Sequence, residues 1–344
     1  DKKNSPNLQP IKDASKMIGK VLKLKIIEKT KPIIIYESTV FPGATEEICI
    51  PIIEKESKFK LNNDFFCGYS PERINPGDNK HKLSSIMKIT SGSNKQSALW
   101  IDALYKSVIR AGTHMTSSIK IAETAKVIEN TQRDLNIALM NELAKICDLV
   151  KIDTIEVIKA ASTKWNFLDF RPGLVGGHCI GVDPYYLTYK SESLGYKPEV
   201  VLAGRKINNS MPEWILRKII SSLKNNNLDI QGANILLMGI TFKENCPDVR
   251  NSKIFELINL LKEYNVILTI WDSWANVEEC KNSFNIKITN KFPQNKKYAA
   301  VICLVKHNEF TKLSSSEWKS LSIKSGIFFD LKGIIPRELK PVRP

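Results

Sequence analysis

No run of about 18 apolar residues occurs in this chain of 344 residues, so nothing in it reads as a membrane span. Paired cysteines are missing too. Seven are present (Cys49, Cys67, Cys147, Cys179, Cys246, Cys280 and Cys303), none in Cys-x-x-Cys spacing and several inside apolar runs. That excludes a disulfide scaffold and predicts reduced thiols in a cytoplasmic protein. Histidine is scarce, with only His81, His114, His178 and His307, so no zinc-site spacing arises and no metal is expected. Acidic residues are outnumbered, 36 against 51 Lys and Arg, for a net charge of +15. The lysines scatter instead of forming a stripe or basic arm, so a small anionic ligand is expected and nucleic acid is not. The chain opens on polar residues without Met or a leader segment, and is expected to be a partial or trimmed chain.

What is present is 42% hydrophobic and 25% charged sequence, enough for two or three globular cores. Helical periodicity at 11–28 precedes a short apolar run, Pro32-Ile33-Ile34-Ile35-Tyr36. A helix from Thr45, strands at 65–69 and 87–90 and a helix at 96–109 follow. Strands alternating with helices predict βαβ units and a mostly parallel sheet. Residues 118–149 contain no Gly or Pro and predict one long helix, a spine between domains or a dimer interface. A second βαβ pattern starts at 234–238 and continues with a helix at 253–264. Strands at 266–271, 299–305 and 327–331 complete it. The expected architecture is α/β: two Rossmann-like parallel-sheet domains joined by a long central helix. Domain boundaries are placed at 1–116, 117–212 and 213–344.

Four clusters carry possible chemistry. Cys179 lies in Gly176-Gly177-His178-Cys179-Ile180-Gly181-Val182-Asp183-Pro184, where glycines permit close backbone approach and expose the thiol. An isolated cysteine beside two glycines is ordinarily a small core filler; Asp183 and Pro184, so close downstream, argue for a constrained functional loop. Neighbouring His178 is a poor base for it, because adjacent side chains point apart. Lys126 and Asn130 stand four apart on the long helix, so an ammonium and an amide share one face, as oxyanion stabilisation requires. Thr39 and Glu72 each follow a strand, where α/β sites gather, although either could serve as a turn or cap residue. Lys243, Asp248 and Arg250 follow the strand at 234–238, a placement that suits a pyrophosphate or an ion-paired surface loop.

In this order, these segments resemble the UDP-glucose/GDP-mannose dehydrogenase family over residues 31–333. The anchors are residues 36–43, 68–77, 122–134, 170–186 and 239–252. Ser70-Pro71-Glu72-Arg73-Ile74-Asn75-Pro76-Gly77 and the Cys179 loop are similar to the branch that acts on UDP-N-acetylhexosamines. The resemblance implies NAD-dependent, four-electron oxidation of a sugar C6 alcohol to the uronic acid, for surface polysaccharide precursor synthesis. It implies Cys179 as nucleophile, Lys126 and Asn130 as oxyanion holders and Asp183 as base. Thr39 would help place a water, and Glu72 would assist thioester hydrolysis. Phe167, Gly176, Arg205, Phe242 and Lys243 would meet substrate, Arg205 reaching the sugar of a neighbouring subunit. Ser38, Thr39, Glu72 and Arg250 would face NAD. A homodimer or larger homo-oligomer is implied, with the long helix as its spine.

One family feature is missing from the sequence: a strand leading into Gly-x-Gly-x-x-Gly, which cradles a dinucleotide pyrophosphate. The first domain is therefore expected to be incomplete, with about a quarter of a typical member absent, and NAD binding by this chain is in doubt. That leaves a second possibility, a non-catalytic UDP-sugar-binding or scaffold protein that has lost its cofactor half-domain.

Overall fold

The computed structural model describes residues 5–24, 31–74 and 82–343. Its backbone divides into two compact units, residues 1–132 with 182–199, and residues 133–181 with 200–344.

In the first unit, α1 (Gln9–Leu24) packs on α2 (Ile50–Ser57), and β1 (Ile33–Tyr36) leads to a π-helical turn at Thr45–Cys49 before α2. The helix predicted at 11–28 is observed to Leu24; its last residues lie outside the described ones. Next come β2 (Phe66–Tyr69), β3 (Lys88–Gly92), α3 (Lys95–Val108) and β4 (Thr113–Met115). Asn94 caps α3, accepting the Ser97 N–H at 2.8 Å while the Ser97 hydroxyl accepts from the Asn94 N–H. Sheet order is β1-β2-β3-β4. β1 and β2 are parallel, as are β3 and β4, but β2 and β3 pair antiparallel with Gly68 opposite Gly92. Those two glycines let α3 approach the sheet. A Cβ on Gly68 would stand 2.2 Å from Ile101 Cδ1, and one on Gly92 2.3 Å from the Ala98 nitrogen. Leu22, Phe41, Ile53, Phe65, Tyr69, Ile119 and Ala122 fill the core.

The predicted long helix is α4 (Ile119–Val150), 32 residues and so about 48 Å long. Its buried positions recur every three or four residues, at Ile119, Glu123, Lys126, Val127, Thr131, Asp134, Ala138, Asn141 and Ala144.

In the second unit, α5 (Thr154–Ala161) is capped by Asp153, which accepts the N–H groups of Ile155 and Glu156. A loop at 162–182 leads back to the first unit, to which α6 (Asp183–Ser193) belongs, and α7 (Glu199–Asn209) and α8 (Met211–Asn225) then follow in the second. Then come β5 (Asn234–Met238), α9 (Ile254–Lys262), β6 (Ile267–Trp271), α10 (Val277–Phe284), β7 (Tyr298–Cys303), the short α11 (Asn308–Thr311) and α12 (Ser315–Ser320), and β8 (Ser322–Asp330). All four strands are parallel in the order β6-β5-β7-β8. Ile235 to Met238 and Ala300 to Cys303 are wholly buried, as strands covered on both faces must be, so they read as unbroken apolar runs. From β5 the chain goes to β6 on one side and later to β7 on the other. The loops after β5 and β7 therefore flank the crevice where ligands of such sheets bind.

Candidate functional site

In the first unit, three polar side chains meet at low exposure. Asn130 donates from Nδ2 to Asp183 Oδ2 at 2.6 Å, and Lys126, one helical turn before Asn130, is 8% exposed. Asp183 opens α6 and is 2% exposed. Burial pushes its carboxyl up to about 6 even though the Asn130 hydrogen bond and the Lys126 charge both favour the ionised form. A carboxyl held there changes protonation near neutrality, which suits general base work.

One turn before Lys126, on the same face, the fully buried Glu123 accepts the Gly43 N–H and, at 2.9 Å, the Thr45 N–H. This carboxylate ties the loop after β1, which carries Ser38 and Thr39, to α4. Sequence reasoning passed over it, although its place in Ala122-Glu123-x-x-Lys126 puts it on the face of Lys126. Gly43 has φ of +93°, so the clamp also holds a conformation that a side chain resists. Glu123→Ala leaves two buried N–H groups without their acceptor and is expected to lower unfolding free energy by about 2–4 kcal/mol. Glu123→Gln, which keeps one acceptor, should lose less. Urea midpoints for the two variants check this, and equal midpoints for Ala and wild type would remove the clamp.

β1 and β2 end level, Tyr36 beside Tyr69, so the loops bearing Ser38, Thr39 and Glu72 leave the same edge of the sheet. Glu72 Oε1 accepts the N–H groups of Arg73 and Ile74, both at 2.7 Å, and Oε2 lies 3.8 Å from the buried ammonium of Lys88. Lys88 also pairs with Glu37 at 3.3 Å. It was not anticipated, because a lysine inside a strand reads as a solvent-facing residue.

In the second unit, Cys179 is the one exposed cysteine of seven and sits in the turn that runs into α6. Its two glycines are needed for contact. Gly177 has φ of +84°, and a Cβ on it would lie 2.9 Å from Phe242 Cδ2; one on Gly176 would lie 2.6 Å from the Asn251 carbonyl oxygen. Gly177 donates its N–H to that carbonyl at 3.2 Å. The loop after β5, holding Phe242 and Lys243, thus forms the floor under the Cys179 loop. Arg250 is exposed and forms a fork on Asp248, at 3.0 and 2.7 Å, which holds the Asp248 carboxyl below its usual range. Phe167 is half-buried in the loop after α5. Arg205, 3% exposed, is paired with Asp134 at 2.7 Å and with Asn209 at 2.7 Å, all in its own chain, so these contacts give no support to its reaching a neighbouring sugar. Asn75, Pro76 and Gly77 of the Glu72 motif, like His81, lie outside the described residues.

Beneath the loop after β5 lies a buried pair that the sequence did not single out. His307 and Asp272 are both fully buried, with Nε2 and Oδ2 3.1 Å apart. Asp272 also accepts N–H groups from Ile240, Trp274 and Ala275, at 2.7, 2.8 and 2.8 Å. Burial would push its carboxyl up, but the interaction with His307 and the N–H groups of Ile240 and Ala275 outweigh it and hold the group below its usual range.

Comparison with known proteins matches residues 1–109, 120–210 and 236–337 to the NAD binding domain, central domain and UDP binding domain of the UDP-glucose/GDP-mannose dehydrogenase family. The chain is 49% identical over 343 residues to UDP-N-acetyl-D-glucosamine 6-dehydrogenase of Pseudomonas aeruginosa, covering 100% of this chain and 80% of that protein. It is 50% identical over 335 residues to Protein CapL of Staphylococcus aureus, covering 97% and 77%. Among solved structures, a UDP-D-ManNAc dehydrogenase from Pyrococcus horikoshii superposes with a TM-score of 0.83 at 25% identity, covering 97% of this chain and 75% of that one.

These matches correct the expectation that the cofactor half-domain is lost: residues 1–109 are recognised as the NAD binding domain. The possibility of a scaffold lacking that domain falls with it. The expectation tied the cofactor to one glycine fingerprint, whereas the domain is also carried by the sheet and its strand-end loops. The carboxyl ends of β1 and β2, which stand level, are the kind of strand-end position where a parallel sheet takes a dinucleotide. Among the described residues no helix is long and apolar enough to cross a membrane.

Proposed function

The chain belongs to the UDP-glucose/GDP-mannose dehydrogenase family, whose members are NAD-dependent dehydrogenases of nucleotide sugars, and we propose that it oxidises C6 of a UDP-N-acetylhexosamine. The observation that carries this is the exposed Cys179 on a Gly-Gly turn, four residues before a buried Asp183 that Asn130 holds. The names of the P. aeruginosa relative and its Salmonella typhi counterpart, 47% identical, support the acetamido sugar.

Overall, R–CH2OH, two NAD+ and water give R–COO−, two NADH and three protons. Bound NAD supplies the hydride acceptor, once for the alcohol and once for the captured aldehyde. Asp183, with an ordered water that Thr39 helps place, takes the hydroxyl proton in the first oxidation. Cys179 then adds to the aldehyde through sulfur, giving a thiohemiacetal whose oxyanion Lys126 and Asn130 stabilise. Loss of the second hydride leaves a thioester on Cys179. Water attacks it with help from Glu72, and the thiolate departs. Lys243 and Phe242 meet the UDP-sugar with Gly176, Phe167 the uridine, and Ser38 and Arg250 the cofactor side. Arg205, buried and paired as it is, remains the residue proposed to reach a neighbouring subunit's sugar.

A cytoplasmic homodimer or larger homo-oligomer, making a surface polysaccharide precursor, completes the proposal. Apolar side chains left exposed along α4, namely Ile128, Leu139, Ile146 and Leu149, support association. The test is NADH production from a panel of UDP-sugars. A UDP-N-acetylhexosamine should give the highest kcat/KM, about 100-fold over UDP-glucose if the acetamido group is hydrogen-bonded in its pocket, and two NADH per sugar consumed. Preference for UDP-glucose, or one NADH per sugar, would overturn the proposal.

A further inference from the structure

The buried His307 is unused in the chemistry above, yet its contacts converge on the loop that carries Phe242 and Lys243. Nδ1 accepts the backbone N–H of Asn245 at 3.0 Å, so Nε2 carries the proton. That proton faces Asp272 Oδ2 at 3.1 Å and Thr241 Oγ1 at 3.2 Å. Thr241 in turn donates its hydroxyl hydrogen to the carbonyl of Lys243 at 2.9 Å. Asn245, held at φ of +53°, is fixed further by Asn308, which donates its N–H to Oδ1 at 3.0 Å and accepts from Nδ2 at 3.2 Å. The loop is therefore gripped on both sides of Lys243, at Thr241 and at Asn245. Asp272 anchors the grip to the end of β6, accepting from Ile240 at the start of the same loop. Above the grip, Phe242 and Asn251 support Gly177 and Gly176 of the Cys179 loop.

We propose that His307, its ring shared between Asn245 and Asp272, is a positioning residue that sets the loop after β5 for the diphosphate of the UDP-sugar and for the Cys179 loop resting on it. This rests on the ligand of that loop being a UDP-sugar. A core filler would be replaceable by any ring of similar volume. A positioning imidazole is replaceable only by a group that supplies the same acceptor to Asn245. Asn places Oδ1 near the site of Nδ1, whereas Gln reaches toward Asp272 and leaves the Asn245 N–H without its acceptor.

The experiment measures UDP binding by calorimetry, with thermal melting and steady-state kinetics, for wild type, His307→Phe, His307→Asn and His307→Gln. His307→Phe should weaken UDP about tenfold, equivalent to ~1.4 kcal/mol, and raise KM for the UDP-sugar more than it lowers kcat. His307→Asn should recover most of the UDP affinity and His307→Gln should not. UDP affinity unchanged in a folded His307→Phe overturns the proposal. If the Phe variant does not fold, equal UDP affinity in the Asn and Gln variants overturns it instead. Wild type that binds no UDP would instead defeat the underlying assignment of the ligand, and the two failures are read apart in one titration series.

Discussion

Cys179→Ala is expected to abolish steady-state NADH production, a loss on the order of 10^4-fold or more, because the aldehyde is then never captured for the second oxidation. No other thiol can stand in. Cys49, Cys67, Cys147, Cys246, Cys280 and Cys303 are all buried. Burial raises the thiols of Cys49, Cys67 and Cys303, and that of Cys280 to about 11, so each is both inaccessible and protonated near neutrality. Cys179→Ser is expected to behave differently from Ala. A serine hydroxyl can take the same acyl group, but an alkoxide leaves far less readily than a thiolate, so an ester should persist on the protein. Intact-mass spectrometry after incubation with UDP-sugar and NAD should show that adduct in Ser and not in Ala, with peptide mapping placing it at residue 179. Undiminished turnover by the Ala variant would remove Cys179 from the chemistry, and a Ser variant with no adduct would argue against covalent capture.

Much of the fold was legible because its determinants are local. The strand at Asn234–Met238 and the helix at Ile119–Val150 were read nearly to the residue, because each is an uninterrupted local pattern. β4 at Thr113–Met115 was missed, since a three-residue edge strand carries no periodicity. The antiparallel β2–β3 pair was missed because strand direction is decided by long-range packing and leaves no local pattern. At the site, Lys126 with Asn130 could be found from spacing on one helix. Glu123 stood in the same motif and still escaped notice, since a carboxylate satisfied by two distant backbone N–H groups looks like any acidic helix residue in sequence. The His307–Asp272 pair joins residues 35 apart at the ends of two strands, and only the sheet order brings them together.

Asp183→Asn is expected to separate activity from stability in opposite directions. Asp183 has its carboxyl raised from 3.8 to about 6 by burial, against the lowering effects of Asn130 and Lys126. As a base it must be ionised, so wild-type kcat should rise with pH through about 6, and the Asn variant should show a small rate without that rise. The sign for stability runs the other way. Between the unfolded value near 3.8 and the folded value near 6, the native state holds the proton more tightly than the unfolded chain. Unfolding free energy attributable to this group therefore falls as pH climbs through that window. Above it the ionised carboxylate costs roughly 3 kcal/mol, about 2 units at 1.36 kcal/mol each. Asn at 183 carries no charge and can still accept from Asn130, so the variant should melt above wild type at pH 8 and lose that advantage toward pH 4. A carboxylate kept at such cost, 2% exposed and bonded to Asn130, supports the proposed role as base. Melting curves that coincide at pH 8, or a kcat profile for the variant that keeps the rise near 6, would take Asp183 out of the role of base.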